Sequence, residues 1–287
     1  MTGVRDENAT VDAWGQAHRR AGASARIVSL VPSITELLFS LGLGPQVVGC
    51  TSYCIHPGDA VLRVPKVGGT KTVEFDRVRD LAPTHAIVNV DENTRETFDE
   101  LKTFVPEVVV THPKAPDDNV GLYRLLGAIF SREAEATRLV ARFERALARV
   151  TDAVTDMPPR RVLYLIWRRP WMTVSPDTYI ARMLAIAGWT TVPREAAARY
   201  PTVDGSDMGS LDIDLCLLSS EPYPFRDAHL QEVRTLVGQA QVRLVDGEML
   251  SWYGSRAISG LDYLAQLAHE VQGVPVSAPA GSNAGPQ

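Results

Sequence analysis

Short runs of apolar, often β-branched residues alternate along the chain with amphipathic segments. The first run, Ile27–Val31, is short and continuous, which favours a buried strand of a parallel sheet. Similar runs recur in both halves of the sequence, and each is predicted as a strand. The predicted strands are Ile27–Val31, Val47–Cys50, Ala86–Val90, Val108–Thr111, Val162–Ile166, Leu215–Leu218 and Val242–Val245. Strands that alternate with helices are typical of parallel sheets.

Helices are predicted between these strands. Ser33 followed by Glu36 matches a capping box, so a helix is expected from Ser33 to about Leu41, where Gly42 ends it. The remaining short helices are predicted at Val73–Leu81, Thr94–Phe104, Gly121–Phe130, Thr178–Ala187, Asp227–Leu236 and Gly260–Val271.

A much longer helix is predicted at the midpoint of the chain. From Ser131 to about Thr155 there is no turn residue, and apolar residues recur at spacings of three and four. This pattern predicts a helix of roughly 24 residues, about 36 Å long at 1.5 Å per residue. Pro158 and Pro159 end it. Its position suits a stiff connector between two halves.

The predicted fold class is therefore α/β, with two Rossmann-like lobes on parallel sheets joined by one long backbone helix. The terminal segments are polar or rich in small residues, so both are expected to be disordered tails. The predicted divisions are a tail over 1–25, a first lobe over 26–130, the connecting helix over 131–157, a second lobe over 158–272 and a tail over 273–287.

Composition narrows the class of protein. Of the 287 residues 45% are hydrophobic and 22% charged, as in globular proteins. The net charge of −5 lacks the basic footprint of a nucleic-acid binder, and three cysteines are too few for a disulfide scaffold. No apolar run reaches membrane-spanning length. The first 25 residues lack the apolar core of a secretory signal, so the chain as written is expected in the cytoplasm.

Aromatic residues are concentrated where predicted strands end, which is where ligands bind in open α/β sheets. The segment Trp167–Trp171 places Arg168 and Arg169 between two indoles, an arrangement that can clamp an anionic group against a flat apolar face. Tyr223 and Phe225, each preceded by a proline, form a second aromatic group, and the run from Trp252 and Tyr253 to Arg256 forms a third. Together they predict a wide site for a large, flat, partly anionic ligand. The alternative is that these rings pack between the lobes.

Motifs for metal binding or catalysis are weak. Cys50, Cys54 and His56 form C-x3-C-x-H, but no second ligand pair follows, so a structural role is favoured. His112 with Asp117 and Asp118 is expected to cap a solvated loop rather than bind a metal. No phosphate-binding loop, nucleophile elbow or zinc-protease motif occurs. We therefore predict no enzyme activity, no resident metal and no cofactor.

The opening of the chain carries a family resemblance. The run Arg26–Glu36, then Gly49 and Ser52-Tyr53 before Pro57, resembles the helical-backbone (class III) substrate-binding proteins of ABC importers for vitamin B12, haem and iron-siderophores. Lys66–Gly69 and the long central helix also fit that family. The resemblance covers about residues 26–272, and the vitamin B12-binding branch is the most similar.

The resemblance implies a monomeric two-lobed binder that delivers its ligand to an ABC permease. Tyr53 falls at a cleft tyrosine of the vitamin B12 branch, Trp252 lies in a loop that flanks the ligand there, and Arg256 lies near a ligand-contacting arginine. Thr70 and Asn89 stand where that branch has tryptophans. Family members are periplasmic or lipid-anchored, which applies here if the start is misassigned. Acidic residues on the lobes dock to the transporter, and the matching positions here are Asp76 and Asp207.

The leading functional hypothesis is a non-catalytic binder of a metal chelate, with cobalamin or another corrinoid first and haem or a ferric siderophore next. One alternative is a cytoplasmic enzyme or chaperone that handles a corrinoid or other small molecule on the same fold. Another is a binder of bare metal ions through His56, His112 and nearby carboxylates. The predicted ligand-binding residues are Tyr53, Trp167, Arg168, Arg169, Trp171, Tyr223, Phe225, Trp252, Tyr253 and Arg256.

Overall fold

The computed structural model describes residues 10–273. Its first lobe contains a four-stranded parallel sheet with strand order β2-β1-β3-β4. The central strands are buried on both faces, which explains their uninterrupted apolar sequences. The elements of this lobe are β1 (Ile27–Ser29), α1 (Pro32–Ser40), β2 (Val47–Cys50), α2 (Gly58–Leu62), α3 (Phe75–Asp80), β3 (His85–Asn89), α4 (Arg95–Leu101), β4 (Glu107–Thr111) and α5 (Asp118–Ile129).

The second lobe repeats this arrangement after the connecting helix α6 (Glu133–Val154). Its parallel sheet has strand order β10-β9-β5-β7, and β6 and β8 form a separate antiparallel pair. The elements are β5 (Arg160–Leu165), β6 (Trp171–Met172), α7 (Tyr179–Ala185), β7 (Trp189–Thr191), β8 (Thr202–Val203), β9 (Leu215–Ser219), α8 (Asp227–Leu236), β10 (Gln241–Val245), α9 (Gly247–Ser251) and α10 (Arg256–Val271).

Helix α6 joins the lobes and shares its apolar face with both. It has 22 residues, so it is about 33 Å long. Leu139, Val140 and Phe143 belong to a continuous buried cluster that also includes residues of both sheets. Helices α5 and α10 pack beside α6 in this cluster. The connection is therefore a packed helical layer rather than an isolated rod.

The predicted α/β architecture is confirmed, with elements whose boundaries differ by a few residues. Strand β7 was not predicted, because its three residues Trp189–Thr191 are too short to show a periodic pattern. The short elements α2, β6, β8 and α9 were also missed. In the described part of the chain, no helix is both long enough and apolar enough to cross a bilayer.

The predicted capping box at the start of α1 is wrong. Val31 is the N-cap residue, and Pro32 occupies the first helical turn, where its fixed φ and missing N–H are tolerated. Ser33 therefore lies inside the helix and cannot cap it. The Glu36 carboxylate instead forms an ion pair with Arg256 at 2.8 Å.

The predicted disordered tail over residues 1–25 is wrong for residues 10–25, which pack along β4. The Ala13 amide donates to the Val110 carbonyl at 3.0 Å, and the Val110 amide donates to Asp12 Oδ2 at 3.0 Å. His18 is buried between Asp12 Oδ2, at 3.0 Å, and Glu107 Oε2, at 2.9 Å. These contacts satisfy polar groups at an otherwise open sheet edge. Residues 1–9 and the predicted tail beyond Gly273 lie outside the described residues.

Candidate ligand-binding cleft

Exposed apolar side chains gather where strands of the two sheets end. Tyr53 is 63% exposed after β2, and Trp167 is 40% exposed after β5. Ile55 also follows β2, Val90 follows β3 and Tyr200 lies just before β8, and all three are exposed. Side chains of this size are normally buried, so their grouping at the carboxyl ends of strands marks a candidate binding surface.

Direct contacts show that these loops of the two lobes face each other. The Tyr253 hydroxyl of the second lobe donates to Glu92 Oε1 of the first. His56 Nε2 lies 2.9 Å from Glu248 Oε2, and Arg199 forms an ion pair with Asp91. We call the region between the facing strand ends the inter-lobe cleft.

Two carboxyl groups, one from each lobe, lie in the inter-lobe cleft. We call Glu92 and Glu221 the acid pair. Burial raises the pKa of Glu92 to about 7, the Tyr253 hydrogen bond partly offsets this, and the charge of Glu221 adds to it. Burial also raises the pKa of Glu221, against hydrogen bonds from Ser251 Oγ at 2.7 Å and Trp252 Nε1 at 2.8 Å. Both acids therefore hold protons more tightly than exposed glutamates do.

The Trp167–Trp171 segment does not form the predicted double clamp. Trp167 is exposed and meets Tyr223 edge-on, with ring centroids 5.7 Å apart. Trp171 instead stacks on Phe225 at 6.2 Å, within the apolar cluster of the second lobe. Arg168 forms an ion pair with Glu232 at 2.9 Å, whereas Arg169 is exposed. Of the four predicted clamp residues, Trp171 and Arg168 therefore make their contacts within the protein itself.

Trp252, Tyr253 and Arg256 form the seam between the lobes rather than an open ligand face. Trp252 and Tyr253 are 9% and 7% exposed. Arg256 pairs with Glu36 at 2.8 Å and with Glu248 at 3.4 Å, and it lies over the Trp252 ring at 5.1 Å. These three side chains therefore pack between the lobes, which is the alternative that the sequence left open for the aromatic residues.

Cys50 and Cys54 have a structural environment. Lys66 Nζ donates to Cys50 Sγ at 3.2 Å and to the Cys54 carbonyl at 3.0 Å. Cys54 Sγ lies 3.2 Å from the hydroxyls of Thr35 and Thr51. A hydrogen bond with Cys50 and those with the threonines lower the pKa of Cys54. Among residues 10–273, no three His, Cys, Asp or Glu side chains are grouped to hold a metal ion.

The other predicted polar residues lie on the surface. The Asp118 carboxylate accepts backbone hydrogen bonds from Lys114 at 2.7 Å and Ala115 at 2.9 Å, so its predicted loop-capping role is confirmed. The Asp76 side chain is 97% exposed in the first turn of α3, 2.9 Å from Arg79 Nη1. Asp207 is exposed on the second lobe, immediately before a short 3₁₀ turn.

The acid pair and Tyr200 were not among the residues predicted to bind the ligand. Glu92 and Glu221 each stand two or three residues after a buried strand, at positions where the strand-exit rule applies. Their position after a strand could therefore have identified both glutamates as candidate site residues. Their burial was not predictable, because Tyr253 and Trp252, which cover them, are distant in sequence.

Two parallel-sheet lobes, one connecting helix and a site between facing strand ends define a helical-backbone substrate-binding protein. The chain belongs to the periplasmic binding protein family, whose sequence profile matches residues 27–242. The predicted family resemblance is therefore confirmed.

Two relatives found by sequence are named vitamin B12-binding proteins. The chain is 21% identical over 183 residues to a vitamin B12-binding protein of Pectobacterium atrosepticum, a match covering 62% of this chain and 65% of that protein. A vitamin B12-binding protein of Yersinia pestis matches at 21% over 183 residues, again over 65% of its length. The match thus spans less than two thirds of these relatives.

Solved structures show the same fold over most of the chain. The periplasmic vitamin B12-binding protein of Vibrio cholerae superposes with a TM-score of 0.75 at 18% identity, covering 86% of this chain and 97% of that one. The periplasmic haem-binding protein of Roseiflexus sp. RS-1 also gives 0.75, at 23% identity, covering 87% and 99%. At these identities the similarity establishes the fold alone.

Proposed function

We propose that this protein is the non-enzymatic substrate-binding component of an ABC importer and binds one metal chelate in the inter-lobe cleft. A corrinoid such as cobalamin is the first candidate, and haem or a ferric siderophore comes next. The observation that carries the proposal is the exposure of Tyr53 and Trp167 at strand ends of opposite lobes. Flat apolar rings left open at a binding cleft suit a large ligand with a flat apolar surface.

The names of the relatives support the order of candidates. The relatives found by sequence include vitamin B12-binding proteins, and structures of the same fold include both vitamin B12- and haem-binding proteins. The resemblance to the vitamin B12 branch implies tryptophans where this chain has Thr70 and Asn89, so a corrinoid other than cobalamin is included in the proposal.

Calorimetric titration of the purified protein with cyanocobalamin, haemin and ferrichrome tests the proposal. We expect saturable one-to-one binding of at least one chelate with a Kd of about 1 µM or tighter. The visible absorption band of the bound chelate gives a second, independent measurement. Absence of binding by all three at about 100 µM, with the protein folded by circular dichroism, would contradict the proposal.

The same samples separate the two alternatives. Mass spectrometry of the chelate after incubation with the protein detects any chemical conversion, which an enzyme would cause and a binding protein would not. Titration with Zn²⁺, Fe³⁺ and Co²⁺ tests the bare-ion alternative. The absence of a ligand grouping in residues 10–273 favours the chelate.

The proposal also includes delivery of the chelate to an ABC permease. Delivery would take place on the periplasmic side of the membrane, as the names of the periplasmic relatives suggest. Exposed Asp76 and Asp207, on different lobes, are the proposed docking residues, and a single copy of the chain offers both. Charge reversal of both should abolish uptake by cells that carry the cognate permease while leaving chelate affinity within about twofold. Fractionation of cells that express the full-length gene product tests the location.

A further inference from the structure

Each member of the acid pair uses one carboxyl oxygen within the protein and leaves the other available. Glu92 Oε1 accepts from the Tyr253 hydroxyl, and Glu221 Oε1 accepts from Ser251 and Trp252. Within residues 10–273, neither Oε2 atom has a hydrogen-bond or ion-pair partner, and neither is among the fully enclosed unpaired atoms. Both Oε2 atoms can therefore reach a ligand in the inter-lobe cleft.

The cations around the acid pair are already neutralised by other carboxylates. Arg256 pairs with Glu36 and Glu248, and Arg199 pairs with Asp91. No guanidinium in the described residues pairs with the acid pair itself. The other titratable groups near Glu92 or Glu221 include His56, which lies 2.9 Å from Glu248. The rest carry no positive charge, and they include Cys54, Asp91, Tyr164, Tyr200, Asp246, Glu248 and Tyr253. A ligand carboxylate placed beside the acid pair would therefore meet two further carboxyl groups, whereas Arg199 and Arg256 already have carboxylate partners.

We infer that the inter-lobe cleft selects a ring chelate whose periphery carries primary amides over the same ring carrying carboxylates, with Glu92 and Glu221 as the residues that discriminate. This inference rests on the proposed function, because it assumes that a chelate binds in this cleft. An amide N–H donates to an ionised Oε2, and an amide carbonyl accepts from a protonated one. A primary amide thus pairs with either form of the acid. A ligand carboxylate pairs with the protonated form only and is repelled by the ionised form.

A matched pair of ligands tests the inference. Dicyanocobinamide carries amides around the corrin ring, and dicyanocobyrinic acid carries carboxylates on the same ring. Calorimetry at pH 8 in 0.15 M and 0.5 M NaCl gives the ratio of their dissociation constants. We expect the amide ring to bind at least tenfold more tightly, with a preference that persists at the higher salt concentration, where general repulsion by the net charge is screened.

Two conservative variants show whether the acid pair causes this preference. Glu92→Gln and Glu221→Gln each keep an oxygen that can accept the existing protein hydrogen bonds but remove the negative charge. Each should tighten dicyanocobyrinic acid binding at least threefold and so lower the preference for dicyanocobinamide at least threefold. Glu96→Gln, on the exposed first turn of α4, removes the same charge outside the cleft and should change neither constant more than about twofold.

A gain in affinity cannot arise from misfolding, so the variants remain informative. If both rings bind wild-type protein equally, or if the glutamine variants leave the ratio unchanged, the inference is overturned while the proposed function stands. If neither ring, nor cyanocobalamin, haemin or ferrichrome, binds the wild-type protein, the proposed function itself fails and the inference fails with it.

Discussion

The hydroxyl of Tyr253, between α9 and α10, donates a hydrogen bond to the Oε1 atom of Glu92, in the loop after β3. This contact joins the two lobes within the inter-lobe cleft. It also places a carboxyl group where water is largely excluded, which is why the pKa of Glu92 rises to about 7 from an ordinary value of 4.5.

The raised pKa of Glu92 makes the stability of the protein depend on pH. Its contribution is fully present below the unfolded-state value of 4.5 and is lost as pH rises through about 7. At 1.36 kcal/mol per unit, the loss has a ceiling of about 3 kcal/mol. Urea unfolding should therefore show wild-type stability falling between pH 5 and pH 8.

Glu92→Gln should flatten this pH dependence, because glutamine does not titrate and still accepts from Tyr253. The variant is expected to be more stable than wild type at pH 8 and similar at pH 5. Glu144→Gln, at an exposed position of α6, serves as the control and should follow wild type. A Glu92→Gln variant with the same slope as wild type would show that this carboxyl is not the source.

Trp167 should contribute directly to ligand affinity, because its exposed ring is available to bury apolar area against a flat chelate. Trp167→Ala is expected to weaken binding of the cognate chelate about tenfold, equivalent to roughly 1.4 kcal/mol. Trp14 is a matched control, since it is 43% exposed but packs against Phe98 and lies beneath Arg95 on the first lobe.

Trp14→Ala should change the Kd less than about twofold in the same calorimetric titration. Equal losses in both variants would point to a general effect on the fold rather than a contact in the cleft. Unchanged affinity in Trp167→Ala would remove this indole from the site.

The sequence predicted the strands and the connecting helix because these depend on local pattern. Continuous apolar runs such as Val108–Thr111 belong to strands buried on both faces, and the α6 stripe faces both lobes. The capping box failed for a local reason as well, since Pro32 competes with Ser33 for the start of α1. The capping preference of Ser33 and the preference of Pro32 for the first helical turn place the start of α1 at different residues, and the proline preference prevails.

The site was predicted less completely, because exposure depends on distant residues. Trp167 and Trp252 both follow strand-end segments, and nothing local distinguishes them. The Trp252 indole donates a hydrogen bond to the Glu221 carboxylate, and Arg256 covers the Trp252 ring. The Trp167 ring, in contrast, contacts only the Tyr223 ring, edge-on. Strand-exit position therefore locates the cleft but does not show which of its aromatic rings remain open.

The buried contacts of His18 with Asp12 and Glu107, which we call the His18 clamp, should hold the N-terminal segment on β4. Replacement by alanine would remove the imidazole partner of buried Asp12 and leave it only backbone amide donors, which costs about 3 kcal/mol for pairs of this kind. Although burial opposes both shifts, the mutual hydrogen bond lowers the pKa of Asp12 and, together with Glu107, raises that of His18. His18→Ala should therefore lower the urea midpoint markedly at pH 6.

These pKa directions set the pH range of the clamp. The Asp12 contribution is present above 3.8 and is lost as pH falls through its lowered pKa. The His18 contribution is present below 6.5 and is lost as pH rises through its raised pKa. Hydrogen exchange of a peptide covering residues 10–20 should show protection at pH 6 that declines by pH 9 beyond the intrinsic rate change. Equal protection at both values would contradict this account.

Gly254 should be irreplaceable at the seam between the lobes. Its φ is +79°, and an added Cβ would lie 3.1 Å from the Ser33 carbonyl oxygen and 3.2 Å from Leu37 Cβ. Its amide donates to Asn119 Oδ1 at 2.6 Å, and its carbonyl accepts from Tyr123 at 2.9 Å, so the backbone has little room to adjust. Gly254→Ala is expected to destabilise the protein by about 2–4 kcal/mol, from backbone strain together with steric contact.

Gly238→Ala separates these two costs. Gly238 has a φ of +63°, and an added Cβ would meet nothing within 4 Å. Its replacement should cost only the backbone strain, about 1–2 kcal/mol, and should leave chelate affinity unchanged. Gly254→Ala should in addition weaken chelate binding, because Tyr253 is the adjacent residue and reaches Glu92 only when this turn is intact. Equal stability losses with equal affinities in the two variants would show that close packing at Gly254 does not position the cleft.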